Sequence, residues 1–181
     1  PYADSLKYMA DWYCQLWGES LGKAKDLDGN TVNAGQTPVK SLGVTDQHSQ
    51  VQLYTEGPFD KVVTFIAVEA FRSELLIPDG AEEYPNVNFL CGATLGKLLK
   101  SGRLNNTIIL PEVNAFTIGQ LLYFYQLQTA YEGALLNIDT YNQPGVEEGK
   151  NATYAMFDRK GYEAKKAELE SRPQKSEKYI I

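Results

Sequence analysis

Two runs, Lys61-Val-Val-Thr-Phe-Ile-Ala-Val-Glu-Ala70 and Asn106-Thr-Ile-Ile-Leu110, are β-branched and apolar almost throughout. A strand wetted on one side alternates apolar with polar residues, whereas runs like these suit strands covered on both faces. Between them, Asn88 to Ser101 reads as a helix. Strand, helix and strand in succession form a parallel crossover unit. The predicted fold class is therefore α/β, a three-layer sandwich with a parallel sheet flanked by helices.

Working outward, Leu6, Met9, Tyr13, Leu16 and Trp17 recur at helical spacing, so a helix is predicted from about Asp4 to Ser20, stopping near Gly22. Leu27 to Thr37 is rich in Asp, Gly and Asn and reads as a turn or surface insertion, followed by a short strand from Pro38 to Val44. Thr45 or Asp46 is the expected N-cap of a helix over Gln47 to Glu56. Thr117 to Asn137 is apolar on all sides and is expected to be a mostly buried helix. No internal repeat or low-complexity tract is visible.

Bulk properties narrow the function classes. The chain has 181 residues, 43% hydrophobic and 22% charged, an ordinary globular balance at a size that buries a core without staples. Its net charge is -6 and no basic stripe is present, so nucleic acid is not an expected partner. The longest apolar runs are too short to span a bilayer, and no membrane association is expected. Cys14 and Cys91 belong to no metal-ligand or CxxC pattern, which favours a reduced, cytoplasmic setting and no bound metal. The chain opens Pro1-Tyr-Ala-Asp without Met and enters a helical pattern at once, so it reads as part of a longer protein.

Three segments are able to carry chemistry. In Gln15-Leu-Trp-Gly-Glu-Ser-Leu-Gly-Lys23, Gln15 and Glu19 are four residues apart and share a helical face, with Gly18 and Gly22 keeping bulk away. On its own such a pair fits a solvated helix end equally well. Gly43-Val-Thr-Asp-Gln-His48-Ser-Gln holds the one histidine, at an expected strand-to-helix junction, where ligands gather in open α/β sheets. A capping or surface histidine fits there too. The third segment is Gly133-Ala-Leu-Leu-Asn-Ile-Asp-Thr-Tyr141-Asn-Gln143-Pro-Gly145-Val-Glu147-Glu-Gly-Lys150. Pro144 and Gly145 mark a helix start, Glu147 and Glu148 suit its first turn, and Lys150 lies about two turns beyond Gln143 on nearly the same side. A lone lysine on a helix is ordinarily solvated.

This third segment resembles the C-terminal signature of the glucose-6-phosphate isomerase family: a small residue, an aliphatic pair, aromatic-Asn-Gln, then Gly-Val-Glu and a Lys three residues on. The Gly-Glu-Ser-x-Gly-Lys and Thr-Asp-x-His-Ser elements follow the family's order and extend the resemblance over nearly the whole chain. The resemblance implies a sugar-isomerase (SIS) domain over residues 1–160, a charged helical tail over 161–181, and an active site shared between domains and between the subunits of a homodimer. It implies that Glu19 is the general base, that Gln15 and Gln143 contact the sugar phosphate substrate, and that His48 and Lys150 serve ring opening. His48 is then expected at the subunit interface, reaching the neighbouring subunit's site rather than its own Glu19. No cofactor is implied. The family's Gly-Gly-Arg segment and its Ser/Thr-rich phosphate loop are absent from this sequence; both belong to the N-terminal half, so the chain alone is expected to have little or no activity. Two other readings compete with this one. A non-catalytic SIS module would have lost the base, and an isomerase of an amino sugar or pentose phosphate would not be expected to carry this terminal signature.

Overall fold

The computed structural model describes residues 1–73, 77–79, 82–84 and 88–173, together with 176 and 178. The chain forms two compact units, Pro1–Thr140 and Tyr141–Ile181.

In the first unit, a short 3-10 turn over Asp4–Leu6 leads into α1, Lys7–Leu21. The hairpin β1 (Lys23–Lys25) and β2 (Thr31–Ala34) follows, then α2 (Gln47–Glu56), β3 (Val63–Ala70), a second hairpin of β4 (Ile77–Asp79) and β5 (Glu82–Tyr84), α3 (Asn88–Lys100), β6 (Asn105–Glu112) and α4 (Ala115–Leu135). Strands β3 and β6 pair in parallel, with Val63 opposite Asn105 and Ala70 opposite Glu112. Pro1–Ala3 runs beside β3, and the Tyr2 N–H donates to the Ile66 carbonyl at 2.9 Å.

The alternation of β3 separates two apolar layers. Ile66 and Val68 pack with Leu6, Leu110, Leu121 and Tyr125 under α1 and α4. Phe65 packs on the other face with Tyr2 and Leu98, joined by Tyr54 of α2 and Leu95 of α3. Successive strand residues point to opposite faces, so one strand serves both layers. The parallel sheet flanked by helices is thus the architecture of the described residues.

Three details depart from the sequence reading. Residues 38–44 form no strand. Their backbone is held by turns and side chains instead: the Leu42 N–H donates to Asp46 Oδ2 at 2.6 Å, the Gly43 N–H to the Pro1 carbonyl at 3.0 Å, and Lys40 pairs with Asp11. Asp46 holds the expected N-cap position of α2, but its side chain accepts from the Leu42 N–H rather than from an amide of the helix. Helix α4 starts at Ala115 rather than Thr117, because Asn114 and Thr117 form a reciprocal capping box, with Thr117 at the third helical position.

The expected burial is also only partly realised. On α4 the stripe Thr117, Leu121, Tyr125, Thr129 and Gly133 is buried, whereas Phe116, Tyr123, Phe124, Tyr131 and Leu135 are exposed. On β6 Leu110 is buried and Ile109 is 59% exposed, since α2 and α3 cover the Phe65 side of β3 and leave Ile109 open. The Asp/Gly/Asn-rich stretch after α1 is a built turn: Asp26 Oδ1 accepts from the Asp28 and Asn30 N–H groups, and Gly29 takes a left-handed φ of 88°.

The second unit contains α5, Pro144–Met156, and α6, Glu163–Glu170. Pro144 opens α5 at a position where its missing N–H costs nothing. Lys165 bridges Glu148 of α5 and Glu168 of α6.

Candidate active site

Helix α1 presents Gln15 and Glu19 together. Their four-residue spacing puts them one turn apart, and Gln15 Nε2 donates to Glu19 Oε1 at 3.2 Å. Gln15 is exposed and Glu19 half-buried. Trp17 packs against Tyr13 with the rings tilted and their centroids 5.6 Å apart. Gly18 has no atom within 4 Å of where a Cβ would stand, so the surface next to Glu19 is open.

The end of this helix is held from three directions. The Lys23 ammonium donates to the carbonyls of Glu19 at 3.0 Å and Ser20 at 2.7 Å. Lys23 is only 5% exposed, and burial lowers its pKa while the Asp139 carboxylate acts to raise it. At Gly35, with φ of 108°, a Cβ would come within 2.8 Å of the Leu21 carbonyl, so the end of β2 closes tightly on the end of α1. The hairpin is tied in turn to the signature segment: the Leu27 N–H donates to the Asn137 carbonyl at 2.8 Å, and Asn137 Nδ2 to Asp28 Oδ2 at 2.8 Å.

Two of the three motifs therefore meet within the first unit, the Gln15–Lys23 segment and residues 133–140. Gly133 is small for a visible reason, since a Cβ there would stand 1.8 Å from Thr140 Oγ1. His48 is placed otherwise. It is exposed near the start of α2, its backbone N–H donates to Thr45 at 3.4 Å, and among the described residues its imidazole makes no hydrogen bond. Because no strand precedes α2, the expected strand-to-helix junction is a turn. Two clefts mark this unit, one among Tyr2, Ser41, Gln47 and Thr94 and one among Lys7, Asp11, Cys14 and Lys40. Neither is lined by Glu19 or His48.

In the second unit, Gln143 occupies the N-cap of α5, and its carbonyl accepts from the N–H groups of Val146 at 3.1 Å and Glu147 at 3.2 Å. Lys150 donates to Glu147 Oε1 at 2.7 Å, and this hydrogen bond raises the lysine's pKa. Every residue from Tyr141 to Lys150 is exposed. No group of three or more His, Cys, Asp or Glu among the described residues is arranged to hold a metal ion, and none of the described helices is long and apolar enough to cross a membrane. Sequence reasoning missed Lys23 and Asp139; a lysine two residues past a helix end is a weak signal until its partners are seen.

Residues 93–174 match the family model for phosphoglucose isomerase. The chain is 54% identical over 181 aligned residues to the glucose-6-phosphate isomerase of Carboxydothermus hydrogenoformans, an alignment covering 93% of this chain and 39% of that protein. This chain belongs to the phosphoglucose isomerase family. A second phosphoglucose isomerase relative, the glucose-6-phosphate isomerase of Rubrobacter xylanophilus, is 43% identical over 90% of the chain and 39% of its own length. The fold agrees with the crystal structure of a glucose-6-phosphate isomerase from Chlamydia trachomatis, with a TM-score of 0.76 over 87% of this chain and 34% of that one, at 21% identity. The chain thus spans about two fifths of the length of the curated phosphoglucose isomerase relatives it matches.

Proposed function

We propose that the protein containing this chain is an aldose–ketose isomerase that interconverts glucose 6-phosphate and fructose 6-phosphate. The observation that carries this reading is a paired carboxylate and amide, Glu19 and Gln15, on a helix end fixed against the family's terminal signature. The isomerisation needs such a group. Once the sugar ring is open, a base must take the proton from C2, leaving an enediol whose electrons shift toward C1. The same group must then return the proton to C1. A carboxylate does this well because it is the base in its anionic form and the acid once loaded. Gln15 steadies one carboxylate oxygen.

Ring opening requires a donor to the ring oxygen and an acceptor for the anomeric hydroxyl proton. His48 and Lys150 are assigned to this step, and Gln143 to contact with the sugar. The exposed imidazole of His48 is compatible with a role toward a second subunit of a homodimer. The same reading makes residues 1–160 an SIS domain with a charged tail over 161–181, places the enzyme in the cytoplasm in glycolysis and gluconeogenesis, and requires no cofactor. The same reading assigns phosphate binding to the N-terminal half of the enzyme, so the isolated chain is expected to be inactive.

The decisive experiment replaces Glu19 with Gln in the whole enzyme. Turnover and exchange of the C2 proton with solvent should fall by about 10²- to 10⁴-fold, the range for removing a general base. Exchange at the parental rate would show that another group moves the proton.

A further inference from the structure

An α-helix leaves its last four carbonyls without intrahelical partners, and these carry the negative end of the helix dipole. In α1 they are the carbonyls of Gly18, Glu19, Ser20 and Leu21. The Gly22 N–H satisfies Gly18 at 3.2 Å, and the Lys23 ammonium takes both Glu19 and Ser20. Lysine is among the residues least often found buried, and surface lysines near helix ends interact with carbonyls only loosely. Lys23 differs, because β1 pairs Lys23 with Ala34 and turns its side chain back beneath the helix, where it is almost fully covered. The Asp139 carboxylate acts on the same charge from the signature segment.

One of the two carbonyls belongs to Glu19 itself. We infer that Lys23 is a positioning residue for Glu19, fixing the peptide of the base from behind while Gln15 fixes its carboxylate from the side. This rests on the reading of Glu19 as the base. A general base held on the last turn of a helix is prone to fraying, and displacement of a reacting group by about 1 Å costs about a hundredfold in rate. An ammonium bonded to two carbonyls of that turn suppresses the motion without touching substrate.

The test compares Lys23→Met, which keeps the stem and removes the charge, with Lys23→Arg, which restores a cation, both in the whole enzyme and normalised to folded protein. For Lys23→Met, kcat is expected to fall about ten- to a hundredfold, with KM within about twofold of the parent. Hydrogen exchange at the amides of residues 19–22 should speed up while that of β3 and β6 stays unchanged. Lys23→Arg should recover part of kcat. If Lys23→Met does not fold, Lys23→Gln replaces it under the same criteria. A parental kcat in the uncharged variant overturns the inference, as does a fall in kcat with exchange at 19–22 unaltered. Glu19→Gln separates the two claims. If it lowers turnover strongly and the uncharged Lys23 variant keeps the parental kcat, only the positioning role fails; if it leaves turnover intact, both fail together.

Discussion

Residues 133–140 and 141–150 are consecutive parts of one motif, yet the chain treats them in opposite ways. In the first part Gly133, Ile138 and Thr140 are buried, and Asn137 is bonded to the hairpin that closes on the end of α1. In the second part every residue is exposed, including Tyr141 at 86%. The identities in the first part follow from packing inside this chain. Those in the second are not fixed by burial, since every one of them is exposed, and α5 would form with many other residues at Val146 and Lys150 once Pro144 starts it. On the proposed reading, the exposed Lys150 acts on substrate rather than on its own fold.

The sharpest way to break this contrast is to mutate each half and ask which property fails. Lys150→Ala in the whole enzyme should lower turnover by about 10²-fold or more, as expected for loss of a proton-transfer group. Its melting temperature should stay at the parental value, because among the described residues Lys150 bonds only Glu147, and both side chains are more than half exposed. Unaltered turnover with lowered stability would reverse the assignment.

Gly133→Ala should do the opposite. The added Cβ would meet Thr140 Oγ1 at 1.8 Å, and turning the hydroxyl away still leaves Thr140 Cβ at a tight 3.0 Å. Overpacking of this kind costs about 1–3 kcal/mol, which chemical denaturation of the isolated chain would detect. Combining it with Thr140→Ala should recover most of the loss, since the two sites interact directly. If the double variant is as unstable as the sum of the singles, the contact is not the cause.

These two halves also show what the sequence could reveal. The β-branched runs at 61–70 and 106–110 disclosed the parallel pair, and the helices at 47–56 and 88–100 were legible from periodicity and flanking residues. The missing strand at 38–44 was not, because its amides are satisfied by Asp46 and Pro1, partners that local propensity does not register. Exposure of α4 was misjudged for a related reason: its apolar character is uniform around the axis, and composition alone does not say which side this chain covers. Of the site, the spacing of Gln15 and Glu19 was readable as a shared face, whereas the anchor beneath them depends on a hairpin that folds Lys23 back onto its own helix. A side chain that points against the direction of the chain leaves no periodic trace.

A smaller effect bears on the packed half alone. Tyr13 and Tyr125 face each other with ring centroids 4.6 Å apart, in the layer between α1 and α4. Burial raises the pKa of Tyr125 from 10.0 to about 12, and burial, followed by the neighbouring Tyr125, raises that of Tyr13 as well. A phenol whose pKa is higher folded than unfolded stabilises the fold while the unfolded chain keeps its proton too. As pH rises above about 10 the unfolded chain ionises first, so stability falls progressively between about pH 10 and 12. Denaturant titrations of the isolated chain at pH 8, 10 and 11.5 should show this fall, and Tyr125→Phe, which keeps the ring and removes the proton, should flatten it. An equally steep fall in Tyr125→Phe would place the alkaline transition elsewhere and remove the buried phenol from the account of what holds α1 against α4.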